Sequence, residues 1–424
     1  MNGSHFKYVL LGGGVSSGAA AAAIRQRDTA GSVLLVGQEV NRPYHRRPLS
    51  REYLLGSKGR GDLFTVADHW FTDHHIELCT GRRALRLDTN RRTILFDNGQ
   101  EVGFEKLLIA TGGSPIRLKI PGIELPNVYY LRTMENADRL RNAVEKAGRE
   151  GRPHERGRGR AGVIGGGFLG VELAGTLAQM GLDVALVEAG TQPCWGFTGE
   201  TVGRMVVGHL ENRGVQVHLQ TVPLRLEGDG RVQRMALSTG STVDVDLVAV
   251  AIGLTPNKDL LRGTAIVSES AILVDDHCRT NQDDIYAAGD CAAIFDPLFG
   301  RYRRVDHWEM AVLSGAIAGR NMAGADERYE QVSYYSIEML DLKLSVWGEA
   351  RHVQRRIVRG NTTVDSPDFV EIGVDGSGKI SQVVAINHSD EDEVLGELVR
   401  RRLSANEHDG LLRDPCRKLR DLLV

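Results

Sequence analysis

Residues 6–11 form a short apolar run, Gly12-Gly13-Gly14 interrupts it, and residues 19–23 are all alanine before Ile24. The run reads as a strand, the alanine stretch as a helix and Val33-Leu34-Leu35-Val36 as a second strand, so the chain opens with a β-α-β unit. The pattern returns at Gly162-Val163-Ile164, followed by Gly165-Gly166-Gly167, a helical stretch over 171–180 and the strand Val184-Ala185-Leu186-Val187. Each unit leads into strands broken by hairpin signals, Asp97-Asn98-Gly99 in the first half, Gly228-Asp229-Gly230 and Ser238-Thr239-Gly240 in the second. Each set ends in an apolar strand that meets Gly and Pro, 107–110 into Thr111-Gly112-Gly113-Ser114-Pro115 and 248–252 into Gly253-Leu254-Thr255-Pro256. Two domains of one plan are expected. Beyond about Tyr329 the pattern becomes alternating, as in Leu342-Lys343-Leu344-Ser345-Val346-Trp347 and Val383-Val384-Ala385-Ile386, before a helical tail. This predicts a third, smaller α+β domain. Residues 149–160 carry five Arg with Gly between them and read as a solvated loop without an assigned role.

Length agrees with that division, because 424 residues at roughly 150 per domain allow two to four domains. Lys and Arg total 52 against 55 Asp and Glu, a net charge of −3, so no overall basicity points to nucleic acid. Five cysteines, Cys79, Cys194, Cys278, Cys291 and Cys416, form an odd set without paired spacing. Neither a disulfide framework nor a zinc cluster is written there, and a reducing, cytoplasmic setting is expected. The first five residues lead straight into a strand without a cationic n-region, so secretion is not expected. Residues 8–24 lack charge but hold four Gly and two Ser, a poor membrane span. His74-His75, His209 and His218 have no carboxylate or Cys at ligand spacing, and no metal is expected.

A turn from strand into helix points unpaired backbone N–H groups and the positive helix end at one spot, which suits a pyrophosphate. Gly165, Gly167 and Gly170, with Phe168 and Leu169 between them, complete G-x-G-x-x-G between strand and helix. Glu188 ends the next strand, where a carboxylate accepts hydrogen bonds from a ribose 2′-OH and repels a 2′-phosphate. NADH is therefore expected over NADPH. In the first copy Gly12 and Gly14 fit, but Ser17 holds the third place and Gly18 follows, so helix and strand are expected slightly farther apart. Its strand ends Val36-Gly37-Gln38-Glu39, and either Gln38 or Glu39 holds the first ribose; spacing alone does not decide. Two such folds in one chain suggest two dinucleotides lying against each other, as hydride transfer requires.

The stretch Arg42-Pro43-Tyr44-His45-Arg46-Arg47-Pro48-Leu49-Ser50-Arg51-Glu52-Tyr53-Leu54 resembles the P-Y-x-R-P-P-L-S-K segment of the FAD/NAD-linked reductases. Thr111-Gly112-Gly113-Ser114-Pro115, Gly253-Leu254-Thr255-Pro256-Asn257 and Ile285-Tyr286-Ala287-Ala288-Gly289-Asp290 are further matches. Within those reductases the chain is most similar to the ferredoxin reductases of oxygenase systems and to apoptosis-inducing-factor-like flavoproteins. Residues 304–315 lean toward the latter, and nearly the whole chain is covered. The resemblance implies an α/β protein of glutathione-reductase type. It would have two Rossmann-like dinucleotide-binding domains, FAD at 1–120 with 253–328 and NAD at 121–252, plus a C-terminal α+β domain at 329–424.

The resemblance also implies site residues. Arg46 would contact the flavin cofactor, Asp290 would hold its ribityl or phosphate portion, and Asp306-His307 would lie along the isoalloxazine. Gly12, Gly14, Thr111, Gly112 and Gly289 belong to the FAD set, and Gly253 to the NAD set. Tyr335 falls where relatives often place a Trp over the flavin, with Ser336-Ile337 replacing the usual Ser-Asp. The family's lysine beside the flavin, paired with a glutamate on the NAD-domain helix, aligns with Arg51 and Glu172. Arg never loses its proton and prefers a planar fork, so an Arg51–Glu172 pair would be stiffer than its Lys counterpart. Residues 43–54 contain no cysteine, which disfavours disulfide reductase or thiol peroxidase chemistry. The implied activity is electron transfer from NADH through FAD to a one-electron carrier, a [2Fe–2S] ferredoxin. The alternatives are an apoptosis-inducing-factor-like oxidase or quinone reductase, and a redox-controlled binding protein. A monomer or homodimer is expected.

Overall fold

The computed structural model describes residues 5–149, 159–388 and 391–423; residues 1–4 and nearly all of the arginine-rich loop, 150–158, lie outside them. The chain divides into two compact units. The first comprises Met1–Arg47, Gly59–Ser114 and Leu254–Gln331; the second comprises Pro48–Lys58, Pro115–Gly253 and Val332–Val424.

In the first unit, His5–Leu11 lies between Val33–Val36 and Glu101–Ile109, parallel to both, and Ile76–Cys79 and Ile285–Ala287 extend the parallel part. The strand Val33–Val36 is buried at all four positions, as a parallel strand covered on both faces requires. The turn Asp97-Asn98-Gly99 joins Thr93–Phe96 to Glu101–Ile109 as an antiparallel hairpin. The alanine run is explained by its partner. A Cβ on Gly315 or Gly319 of the helix Trp308–Met322 would lie 2.2 Å from the Ser16 carbonyl oxygen or 2.5 Å from that of Ala20. Small residues on both helices let their backbones approach that closely.

In the second unit a five-stranded parallel sheet runs Gln216–His218, Asp183–Val187, Arg160–Ile164, Leu247–Val250, Val128–Tyr130. Both expected hairpins appear in the antiparallel sheet Pro223–Glu227, Arg234–Leu237, Thr242–Asp244. The C-terminal strands form an antiparallel sheet in the order Tyr334–Met339, Leu342–Gly348, Ile380–Ile386, Asp368–Asp375, Val353–Asn361. Its alternation is weaker than the sequence suggests, since Ile380–Ile386 is buried at every position. Helix Asp392–Arg400 packs on this strand, while Gln382 reaches the carbonyl of Phe197 at 2.8 Å, so both faces are covered. Among the described residues, no helix is long and apolar enough to cross a membrane.

Candidate functional site

Each unit carries one glycine turn at the mouth of its parallel sheet. In the second, Gly165 has φ +100° and a Cβ there would lie 2.5 Å from the Ala251 carbonyl, so only glycine fits. A Cβ on Gly170 would lie 1.8 Å from the Gly165 carbonyl oxygen, which fixes how closely the helix Phe168–Gln179 meets the strand. Gly167 is different, because a Cβ there would meet nothing within 4 Å. It faces open space beside the helix end. That helix has neither a side-chain cap nor an acidic residue in its first turn. Its N-terminal N–H groups and positive dipole end are thus left for an anion, and a dinucleotide pyrophosphate fits them.

Glu188 is positioned by the same turn. Its Oε2 accepts from the Gly166 N–H and its Oε1 from the Gly190 N–H, both at 2.5 Å. Two such bonds fix the carboxylate while leaving lone pairs for a further donor. Gly253 also has positive φ, +107°, and its carbonyl accepts from the Ile116 N–H at 3.0 Å. Leu169 is partly exposed, at 36%.

The first unit repeats this geometry with other partners. Gly12 has φ +130° and a Cβ would lie 2.0 Å from the Ala110 carbonyl oxygen, while a Cβ on Gly14 would meet nothing within 4 Å. The helix Val15–Arg27 again lacks a side-chain cap and first-turn acid. Ser17 is fully buried, and its hydroxyl has no hydrogen-bond partner among the described residues. An open approach, uncapped N–H groups and a spare buried hydroxyl fit a dinucleotide phosphate here as well.

Gly289 and Thr111 lie beside that turn. Gly289, with φ +72°, brings its strand end so near the first helix that a Cβ would lie 2.4 Å from Ser16 Oγ, and Asp290 follows it. Arg46 donates to Tyr44 Oη at 2.9 Å and to Glu39 Oε1 at 2.5 Å, and Tyr44 donates to Glu39 Oε2 at 2.6 Å. Burial opposes the charge on Arg46, but Tyr44, Glu39 and Asp290 outweigh it and the guanidinium pKa rises. Of the two ribose candidates, Glu39 is engaged in this trio and Gln38 is exposed. Thr111 Oγ1 donates to the Asn257 carbonyl at 2.6 Å, and Asn257 Nδ2 returns a bond to the Thr111 carbonyl at 3.0 Å, locking the turn that holds Gly112. Asp306 pairs with Arg304 at 2.8 Å; His307 begins the helix Trp308–Met322, whose Trp308 indole donates to His45 Nδ1 at 2.9 Å.

One expectation meets different partners. Arg51 turns its guanidinium to Glu338, with a second N–H 3.5 Å from the Leu340 carbonyl, whereas the buried Glu172 accepts from the Ser50 hydroxyl. The expected Arg51–Glu172 pair is thus replaced. Adjacent residues of the turn Arg47–Ser50 and its continuation point different ways, and the shorter serine reaches the buried carboxylate. Tyr335, expected over a flavin ring, packs its ring 5.5 Å from Phe168 and 5.2 Å from Phe197. Glu338 and Phe197 carried no motif in the sequence. Tyr44 and Asn257 did lie in recognisable segments, and a polar group next to each Gly- or Pro-containing turn was the available signal.

The cysteines are all free. Burial, with Glu188 nearby, pushes the Cys194 thiol up to about 12, and burial also raises Cys278 and Cys291. These thiols are poor nucleophiles. His209 stands 3.0 Å from Asp341, and no cluster of three metal-ligating side chains occurs among the described residues.

Two glycine turns, each at a parallel sheet, with a carboxylate closing the second, define a two-nucleotide oxidoreductase. Residues 6–315 match the pyridine nucleotide-disulphide oxidoreductase family, and the chain belongs to it. It is a flavin-dependent NAD(P)H oxidoreductase. Rhodocoxin reductase of Rhodococcus erythropolis is 31% identical over 85% of this chain and 82% of that protein. The ferredoxin–NAD(+) reductase component of the p-cumate 2,3-dioxygenase system of Pseudomonas putida is 30% identical over 99% and 98%. In fold, the chain matches the reductase solved in a covalent putidaredoxin reductase–putidaredoxin complex with a TM-score of 0.91, 24% identity and coverage of 100% and 99%.

Proposed function

We propose that this chain takes electrons from NADH and delivers them, by way of bound FAD, to a [2Fe–2S] ferredoxin of an oxygenase system. The observation that carries the choice of donor is Glu188, fixed by two backbone N–H groups where a ribose 2′-OH would donate to it and a 2′-phosphate would be repelled. The Gly165 turn binds the NADH pyrophosphate and the Gly12 turn that of FAD. Arg46, held by Glu39 and Tyr44, keeps a fixed positive charge toward the cofactor, and Asp290 accepts from its hydroxyl groups. When bound, FAD supplies the chemistry of accepting a hydride and releasing electrons singly. Buried thiols of raised pKa favour a separate protein carrier over a disulfide as acceptor. The Pseudomonas putida relative is a ferredoxin–NAD(+) reductase component, which supports a ferredoxin, and the free cysteines fit a reducing cytoplasm.

The test is to purify the protein, identify the released flavin, and compare NADH with NADPH across ferredoxin, quinone and oxygen. FAD, an NADH preference of about tenfold or more in kcat/KM, and fastest turnover with ferredoxin are expected. Preference for NADPH overturns the role of Glu188. Faster turnover with quinone or oxygen overturns the ferredoxin assignment.

A further inference from the structure

The loop after Glu188 carries the most exposed tryptophan of the chain's second unit. Trp195 is 63% exposed and its indole has no hydrogen-bond or ring partner among the described residues. A large apolar ring left in water loses the benefit of burial, and such exposure next to a polar site marks a contact surface.

The loop is rigidly held. Gly166 anchors both sides of it, its N–H donating to Glu188 Oε2 at 2.5 Å while its carbonyl accepts from the Cys194 N–H at 2.8 Å. Cys194, with φ +54°, and Gly196, with φ +83°, bracket Trp195 in the left-handed region. Gln192 Nε2 donates to the Thr198 and Gly199 carbonyls at 3.3 and 3.0 Å. The C-terminal sheet adds two ties, Gln382 to the Phe197 carbonyl at 2.8 Å and the Gly199 N–H to Glu371 at 2.9 Å. Around Gly190, an added Cβ would lie 2.9 Å from Glu188 Oε1 and 3.3 Å from the Cβ of Trp195. The indole therefore springs from the immediate neighbourhood of the carboxylate assigned to the adenosine ribose.

We infer that Trp195 is the stacking platform for the adenine of NADH. This rests on the reading of the Gly165 turn and Glu188 as the NADH site. A base attached to a ribose held at Glu188 has a flat apolar face to bury, and an indole already fixed in place loses little entropy in covering it. The loop geometry supplies orientation, Glu188 selects the ribose, and Trp195 contributes affinity for the base.

Binding of ADP-ribose to the flavin-loaded protein, measured by calorimetry and by indole fluorescence, tests this for wild type, Trp195→Ala and Trp195→Phe. Base–aromatic stacking predicts affinity about tenfold weaker in Trp195→Ala and within about threefold of wild type in Trp195→Phe. Quenching of indole emission by ADP-ribose should vanish in both variants. Wild-type binding with unchanged affinity in Trp195→Ala overturns the platform and leaves the NADH site intact. Failure of wild type to bind ADP-ribose overturns the NADH site and the platform with it. All three proteins should melt together, because the side chain is exposed and unpartnered.

Discussion

The two glycine turns share a backbone plan but differ in what closes around them. In the second unit the carboxylate at the end of the following strand, Glu188, folds back onto the turn's own N–H groups. In the first, Glu39, one of the two ribose candidates, accepts instead from Tyr44 and Arg46. The third motif position differs too. Gly170 admits no Cβ, whereas Ser17 carries one and is fully buried, with the close approach moved to Gly289 and Gly315 against Ser16. One copy therefore ties its carboxylate to the turn, where we propose that it selects the ribose, and the other ties its carboxylate to a cation. The glycine pattern sets the same backbone turn in both copies, while the residues after the next strand differ in the partners they take.

The largest expected effect lies at the third position. Gly170→Ala drives a methyl into the Gly165 carbonyl and should weaken NADH binding by about a hundredfold, on the order of 3 kcal/mol, with retained flavin. Ser17→Gly, which completes the motif in the other copy, removes the spare hydroxyl and should weaken flavin retention by only about tenfold, with about 0.5 kcal/mol of stability lost to helix propensity. Flavin content by absorbance, NADH titration and thermal unfolding read both. Equal losses in the two variants would show that the third position has the same role in each copy.

A smaller effect separates the carboxylates. Glu188→Gln keeps an acceptor for one N–H but removes the charge, and should reduce the NADH-over-NADPH ratio by about tenfold, the scale of a charged hydrogen bond. Glu39→Gln should leave that ratio unchanged and instead loosen flavin retention, because Arg46 and Tyr44 lose their shared anchor. Steady-state ratios and flavin release on dilution distinguish the two. A changed nucleotide ratio in Glu39→Gln would break the division of labour.

Much of this was readable from sequence because it is local. Both turns, their flanking strands and helices, and the hairpins at Gly99, Gly230 and Gly240 follow from spacing and turn chemistry within a few residues. What was not readable is long range. Arg51 finds Glu338 far along the chain, and Glu172 takes Ser50 in place of the neighbouring arginine. Either choice is compatible with the same local sequence, so only tertiary packing decides. Covering both faces of Ile380–Ile386 likewise erases the alternation expected of an antiparallel strand.

The smallest effect concerns the thiols beside each turn. Cys291 follows Asp290 in the first unit and donates to the Ile109 and Ala288 carbonyls at 3.4 Å; Cys194 in the second has its N–H on Gly166. Burial raises both pKa values, Cys194 to about 12. At pH 8 its thiolate fraction is then on the order of 10⁻⁴, and a disulfide reagent should modify the exposed Cys416 while sparing both turn thiols until the protein unfolds. The same shift fixes a sign. A thiol whose folded pKa exceeds its ordinary value of 9.0 gives stability that is full below pH 9 and lost as pH rises toward the folded pKa. Alkaline unfolding should therefore steepen above about pH 9, less so in Cys194→Ala. Rapid native labelling of Cys194 or Cys291 would instead make that turn, unlike its counterpart, a reactive thiol site.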